Sequence, residues 1–169
     1  MDKYTNDIFL VGPSYCGKTE LTKILEAVTG FETIHVGDCV RKLFKKWELD
    51  TPLEIENEML CQVIHDNIHH FSSMNFIIDN AFKNPSQFAA VTEMWKEMER
   101  RWSVIWVEDN RTFVNFKERG REDDDNVLEK RKRWFETSKQ LFEKLKTDYP
   151  ENLVIVHNTD SGFTFERRL

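Results

Sequence analysis

Four short runs constrain this chain most: residues 8–11, 76–78, 104–107 and 153–156 are continuously apolar, with nothing polar at alternate positions. A strand with one wet face alternates; a strand covered on both faces does not. The runs therefore predict a parallel sheet between two layers of helices, with residues 33–36 as a weaker further strand. The intervening segments carry the helical period. Leu21, Ile24, Leu25 and Val28 fall at i, i+3, i+4 and i+7, with Gly30 beyond them as a stop. Val40, Leu43, Phe44 and Trp47 repeat that spacing. Thr51-Pro52-Leu53-Glu54 and Asn84-Pro85-Ser86-Gln87 each read as a capping box with Pro in the first turn. They open helices reaching about residue 70 and about residue 100. Residues 109–117 and 124–146 are further helix candidates. The expected architecture is α/β: three layers, a parallel sheet of about five strands, helices on both faces and right-handed crossovers.

Composition narrows the function. The chain has 169 residues, the length of one domain, and a net charge of −6 from 24 basic and 30 acidic residues. That balance argues against a binder of nucleic-acid polymers, although a few clustered cations can still make a local anion site. No apolar run approaches the roughly 20 residues of a membrane span, and the opening MDKYTND lacks a signal-peptide core. The three cysteines, Cys16, Cys39 and Cys61, have no metal-type spacing. A cytoplasmic, monomeric protein with reduced thiols is expected.

The strongest motif is GPSYCGKT: Gly12, Pro13, Ser14, Tyr15, Cys16, Gly17, Lys18 and Thr19. It fits G-x-x-x-x-G-K-[ST], between an apolar run and an amphipathic helix, which is the placement a phosphate-cradling loop needs. Glycines let successive N–H groups curl around an anion, and the helix that follows presents its positive end to it. Lys18 would reach the β- and γ-phosphates, and the Thr19 hydroxyl would ligate Mg²⁺. The positive loop should favour a Cys16 thiolate. Asp79 closes the run Phe76-Ile77-Ile78 at the strand end where open α/β sheets bind ligands, so it is assigned to the magnesium–water shell.

With these residues in place, the chain resembles the nucleoside monophosphate kinases, P-loop NTPases of the adenylate kinase and UMP/CMP kinase type. Four segments carry the resemblance in the family's order: the loop; His35-Val36-Gly37-Asp38-Cys39-Val40-Arg41, similar to S-T-G-D-x-x-R; FIIDNAFKNPSQ at 76–87, similar to L-L-D-G-F-P-R-x-x-x-Q; and RGREDDDN at 119–126 followed by Arg131-Lys132-Arg133, similar to a short lid segment. The resemblance implies one domain over 1–169, with an acceptor-binding helical part at about 38–70 and a lid at about 119–126. It implies ATP and Mg²⁺ as cofactors and a nucleoside monophosphate as acceptor. Lys18, Arg119, Arg121 and Arg133 would be catalytic, Arg119 also touching ATP. Gly37, Asp38, Arg41, Lys83, Gln87, Arg121 and Arg133 would hold the acceptor, with Gln87 contacting its base. Two departures are visible: Asn80-Ala81-Phe82-Lys83 replaces Gly-Phe-Pro-Arg, and one residue separates Arg119 from Arg121. Lys83 offers no bidentate fork for a phosphate. Two other readings stay open at this point: a kinase of another small acceptor, and a nucleotide-binding regulatory module without turnover.

Other features read as structural. His65 and His69 share a helical face without the Glu of a H-E-x-x-H site. Phe88, Trp95, Trp134 and Phe135 fall at core-facing spacing.

Overall fold

The computed structural model describes residues 6–13, 16–43, 53–68, 75–109 and 125–166; side chains at 41–43, 53–55 and 125–134 are left aside. In chain order the elements are β1 (Asn6–Val11), α1 (Lys18–Thr29), β2 (Glu32–His35), α2 (Val36–Leu43), α3 (Leu53–Ile68), β3 (Phe76–Asp79), α4 (Pro85–Glu97), β4 (Arg101–Glu108), α5 (Asp125–Asp148), a 3-10 turn (Pro150–Asn152), β5 (Leu153–Thr159) and β6 (Gly162–Glu166). The sheet order is β2-β3-β1-β4-β5-β6. The first five strands are mutually parallel, and β6 runs antiparallel along β5.

All four apolar runs and the weaker fifth are strands, and their continuity has the expected cause. Alternate residues enter different layers. Phe9, Ile34, Phe76, Ile78, Val104 and Trp106 pack beneath Leu60 and Ile64 of α3, Phe88, Val91 and Trp95 of α4, and Leu141 and Leu145 of α5. Leu10, Ile77, Ile105, Val107 and Val156 pack beneath Leu21 and Leu25 of α1. Phe88 and Trp95 are core residues, as their spacing implies, with the Phe9 ring set edge-on to Trp95 at 4.9 Å.

Several boundaries differ from expectation. The sheet has six strands, because the hairpin strand β6 is largely exposed and so carries no apolar run. The second strand ends at His35; Val36 already belongs to α2, turning its side chain into the core. Helix α4 stops at Glu97 rather than near residue 100, where Glu99 takes φ 54° and its N–H bonds the Lys96 carbonyl at 3.0 Å. Asp109 follows β4 outside any helix, and residues 110–117 of the helix expected there lie outside the described residues, as do Phe44, Trp47, His69 and His70.

Strand β1 is central, and its first inward residue is a fully buried carboxylate, Asp7. Its Oδ1 accepts from the Phe76 N–H at 2.8 Å and from Arg100 Nη2 at 2.7 Å. Its Oδ2 accepts from Trp95 Nε1 at 2.8 Å and Arg100 Nε at 2.7 Å. The bidentate Arg100 guanidinium also lies 5.1 Å from the Phe76 ring centroid. One carboxylate thus joins the starts of β1 and β3, helix α4 and the residue leading into β4. Removing one partner of such a pair leaves the other charge buried and unpaired. Asp7→Ala is therefore expected to lower unfolding free energy by about 3–5 kcal/mol, read by urea titration. A loss below about 1 kcal/mol would contradict this account of Asp7.

Candidate functional site

Parallel pairing brings the carboxyl ends of β1, β3 and β4 to one edge of the sheet. Leu10 stands opposite Asp79, and Val11 opposite Trp106. Asp79, Gly12 and Asp109 therefore all lie at the carboxyl ends of adjacent strands, the edge where open α/β sheets bind their ligands.

The loop between β1 and α1 is gripped at both glycines. At Gly12 (φ +150°) a Cβ would stand 2.5 Å from the Val107 carbonyl oxygen; at Gly17 (φ +96°) it would stand 2.4 Å from Asn158 Nδ2. Positive φ and close approach together require glycine at each. Gly17 caps α1, whose first residue is Lys18. The Lys18 side chain is buried and folds back on its own loop: Nζ donates to the carbonyls of Gly12 at 3.0 Å and Pro13 at 2.7 Å, with Cys16 Sγ at 3.7 Å. These bonds hold an ammonium within the loop itself. Thr19 follows on the exposed side of the first turn; Ser14 and Tyr15 lie outside the described residues.

Asp79 shares the face of α1, since the pleat alternates it with Ile78 on the opposite face. It is buried; Oδ2 lies 3.1 Å from His35 Nδ1, whereas Oδ1 is buried with no hydrogen-bond partner among the described residues. A buried acceptor in that state costs about 1–3 kcal/mol, a deficit that a bound water or ligand donor relieves. The following residue, Asn80, has φ 59° and donates its N–H to the Leu10 carbonyl at 3.0 Å. Asn is among the few non-glycine residues that adopt this left-handed geometry readily, so Asn80 makes the turn at the strand's end without a glycine.

Cys16 departs from expectation. It is completely buried, and desolvation pushes its thiol pKa up, outweighing the nearby Lys18 charge and its hydrogen bonds. The loop holds a neutral thiol packed under Gly12, not a thiolate.

Among the residues expected to hold an acceptor, Gly37 and the exposed Asp38 lie in the first turn of α2, which starts directly at the end of β2. Arg41 lies on α2 and Arg133 on α5, with side chains outside the description; Arg119 and Arg121 are outside the described residues altogether. At the start of α4, Asn84 Oδ1 accepts from the Gln87 N–H at 2.9 Å, the expected half of the capping box. The return bond shifts by one residue: Gln87 Oε1 accepts from the Lys83 N–H at 2.7 Å, and the Gln87 side chain is buried.

Three participants escaped the sequence reading. His35 appeared only as the start of a motif, not as the partner of Asp79. Asp109 stands beyond the apolar run 104–107 with Glu108 between, so a carboxylate-at-strand-end signal pointed to Glu108 first and did not single it out. Asn158 carries no sequence signal; only the strand register brings it to the loop. Among the described residues no cluster of three or more His, Cys, Asp or Glu could hold a metal, and no described helix is long and apolar enough to cross a membrane. No protein-family model matches the chain, and no curated protein matches it.

Two outcomes follow from these contacts. Because burial raises the Cys16 pKa, the unfolded thiol ionises first as pH rises. Stability should be fully present below about pH 8.5 and fall above it, toward the folded-state pKa. The decline in a pH series of urea titrations should be shallower in Cys16→Ala, and iodoacetamide should label Cys16 far more slowly than Cys39. For Gln87→Ala, loss of the Lys83 bond should cost about 1 kcal/mol in unfolding free energy. Base contact would add a change in kcat/KM between acceptor bases, about tenfold per 1.4 kcal/mol of differential binding.

Proposed function

We propose that this chain transfers the γ-phosphoryl group of ATP to a nucleoside or deoxynucleoside monophosphate, giving ADP and the diphosphate. The observation that carries the reading is the buried Lys18 ammonium, parked on its own loop's carbonyls, beside the end of a neighbouring strand that bears the half-satisfied carboxylate of Asp79.

Phosphoryl transfer asks a protein for positioning and charge neutralisation more than for covalent chemistry. An acceptor phosphate oxygen attacks the γ-phosphorus in line, the bond to the β,γ-bridging oxygen breaks, and ADP leaves with that electron pair. In this reading Lys18 leaves the carbonyls of Gly12 and Pro13 for the β- and γ-oxygens, with loop N–H groups donating to the same phosphates. The donor set suits magnesium: Thr19 offers a hydroxyl at the helix start and Asp79 a buried oxygen lacking a donor among the described residues, as a water-shell role requires. When bound, Mg²⁺ would neutralise charge on the β- and γ-phosphate oxygens. By resemblance, Arg41 and Lys83 hold the acceptor, while Arg119, Arg121 and Arg133 close over the transferring group.

A second reading, a kinase of another small acceptor, draws support from Gln87. Its amide oxygen already accepts from the Lys83 N–H, so only one lone pair and the NH₂ group are left to meet a base.

The test is ADP release measured by a coupled assay across nucleoside and deoxynucleoside monophosphates. Lys18→Ala should lower kcat by about 10²–10³-fold while the protein remains folded. Near-normal turnover in that variant would overturn the phosphotransferase reading. ATP turnover confined to acceptors other than nucleoside monophosphates would favour the second reading.

A further inference from the structure

We infer that Asn158, held by Asp109, is a positioning residue that sets the phosphate loop for ATP; this rests on the phosphotransferase reading and adds a residue that neither the motif nor the resemblance assigns. Asn158 lies on β5, opposite Phe163 of β6. Its Nδ2 donates to the Cys16 carbonyl at 3.2 Å and to Asp109 Oδ2 at 3.3 Å. An amide nitrogen carries two hydrogens, and each has one acceptor here. Asp109 is buried at the end of β4, and its carboxylate decides which way the amide faces. Flipped, the Asn158 oxygen would confront a carboxylate and a carbonyl, two acceptors with no donor between them.

The consequence falls on one peptide unit. In a trans peptide the carbonyl and the next N–H point in opposite directions. Pinning the Cys16 carbonyl toward β5 therefore aims the Gly17 N–H away from β5. A carbonyl free to rotate could instead turn toward the phosphates and repel them. Asn158 also explains the second glycine of the motif, because any Cβ at residue 17 would meet its Nδ2 at 2.4 Å and lie 3.5 Å from the Phe163 ring. Strands carry both Asn158 and Phe163, so the grip is as rigid as the sheet.

A role limited to joining β4 and β5 makes a different forecast from a role in setting the loop, and a side-chain exchange separates them. ATP binding is measured directly on the full chain by calorimetry, with thermal unfolding and separate KM values for ATP and acceptor. Asn158→Ala should weaken ATP binding about tenfold and raise the ATP KM to match, with the acceptor KM unchanged. The double variant Asn158→Asp with Asp109→Asn restores an amide–carboxylate contact between the strands but moves the donors to residue 109, leaving the Cys16 carbonyl without one. It should regain stability and keep the tenfold ATP defect. Full ATP affinity in the folded double variant would overturn the positioning role. Should the double variant not fold, Asn158→Ala decides: unchanged ATP affinity, or equal rises in both KM values, overturns the role. A wild-type chain that binds no ATP overturns the phosphotransferase reading and this role together, whereas tight binding by wild type and Asn158→Ala alike overturns this role alone.

Discussion

The buried Asp7–Arg100 pair fixes the reference from which the rest of the sheet is measured. Four donors from β3, α4 and the segment before β4 converge on one carboxylate at the start of β1. A one-residue slip of β1 would break all four bonds and turn its whole apolar set to the wrong face. The opposite edge inherits that register. Leu10 faces Asp79 and Val11 faces Trp106 because residue 7 is held where it is. The geometry of the candidate site is thus decided at the far end of the same strands.

At the opposite edge of the sheet the structure leaves polar groups only partly satisfied. Lys18 donates to the Gly12 and Pro13 carbonyls of its own loop with Cys16 Sγ nearby, Asp79 keeps one oxygen without a donor among the described residues, and both glycines stand where a side chain would collide. On the phosphotransferase reading proposed above, each supplies a group that a phosphate or its bound waters would complete. Cys16 shows the limit of reasoning from charge alone. Nearness to an ammonium favours a thiolate, but complete burial penalises the charged form more, and burial wins.

Local patterns were legible where one physical cause dominates. Apolar runs flanked by helical periods could only be strands covered on both faces. Asn84-Pro85 announced the start of α4, and Asn84 does cap it. Patterns failed where the cause lies elsewhere in the chain. Strand β6 is held by backbone bonds to β5 with little burial, so its residues advertise nothing. Gln87 satisfied the box pattern, yet its oxygen bonds Lys83 one residue earlier, because the extended approach to the helix offers that N–H instead.

The sequence by itself determined the layered α/β class, the loop Gly12–Thr19 and the carboxylate that ends β3, because each depends on neighbours a few residues apart. Only the tertiary structure decided that His35 meets Asp79, that Asp109 orients Asn158, and that Asn158 holds the Cys16 carbonyl across 142 residues of chain. Such contacts leave no trace in spacing. They come from strand order and register, and those follow from how the whole core packs rather than from any segment read alone.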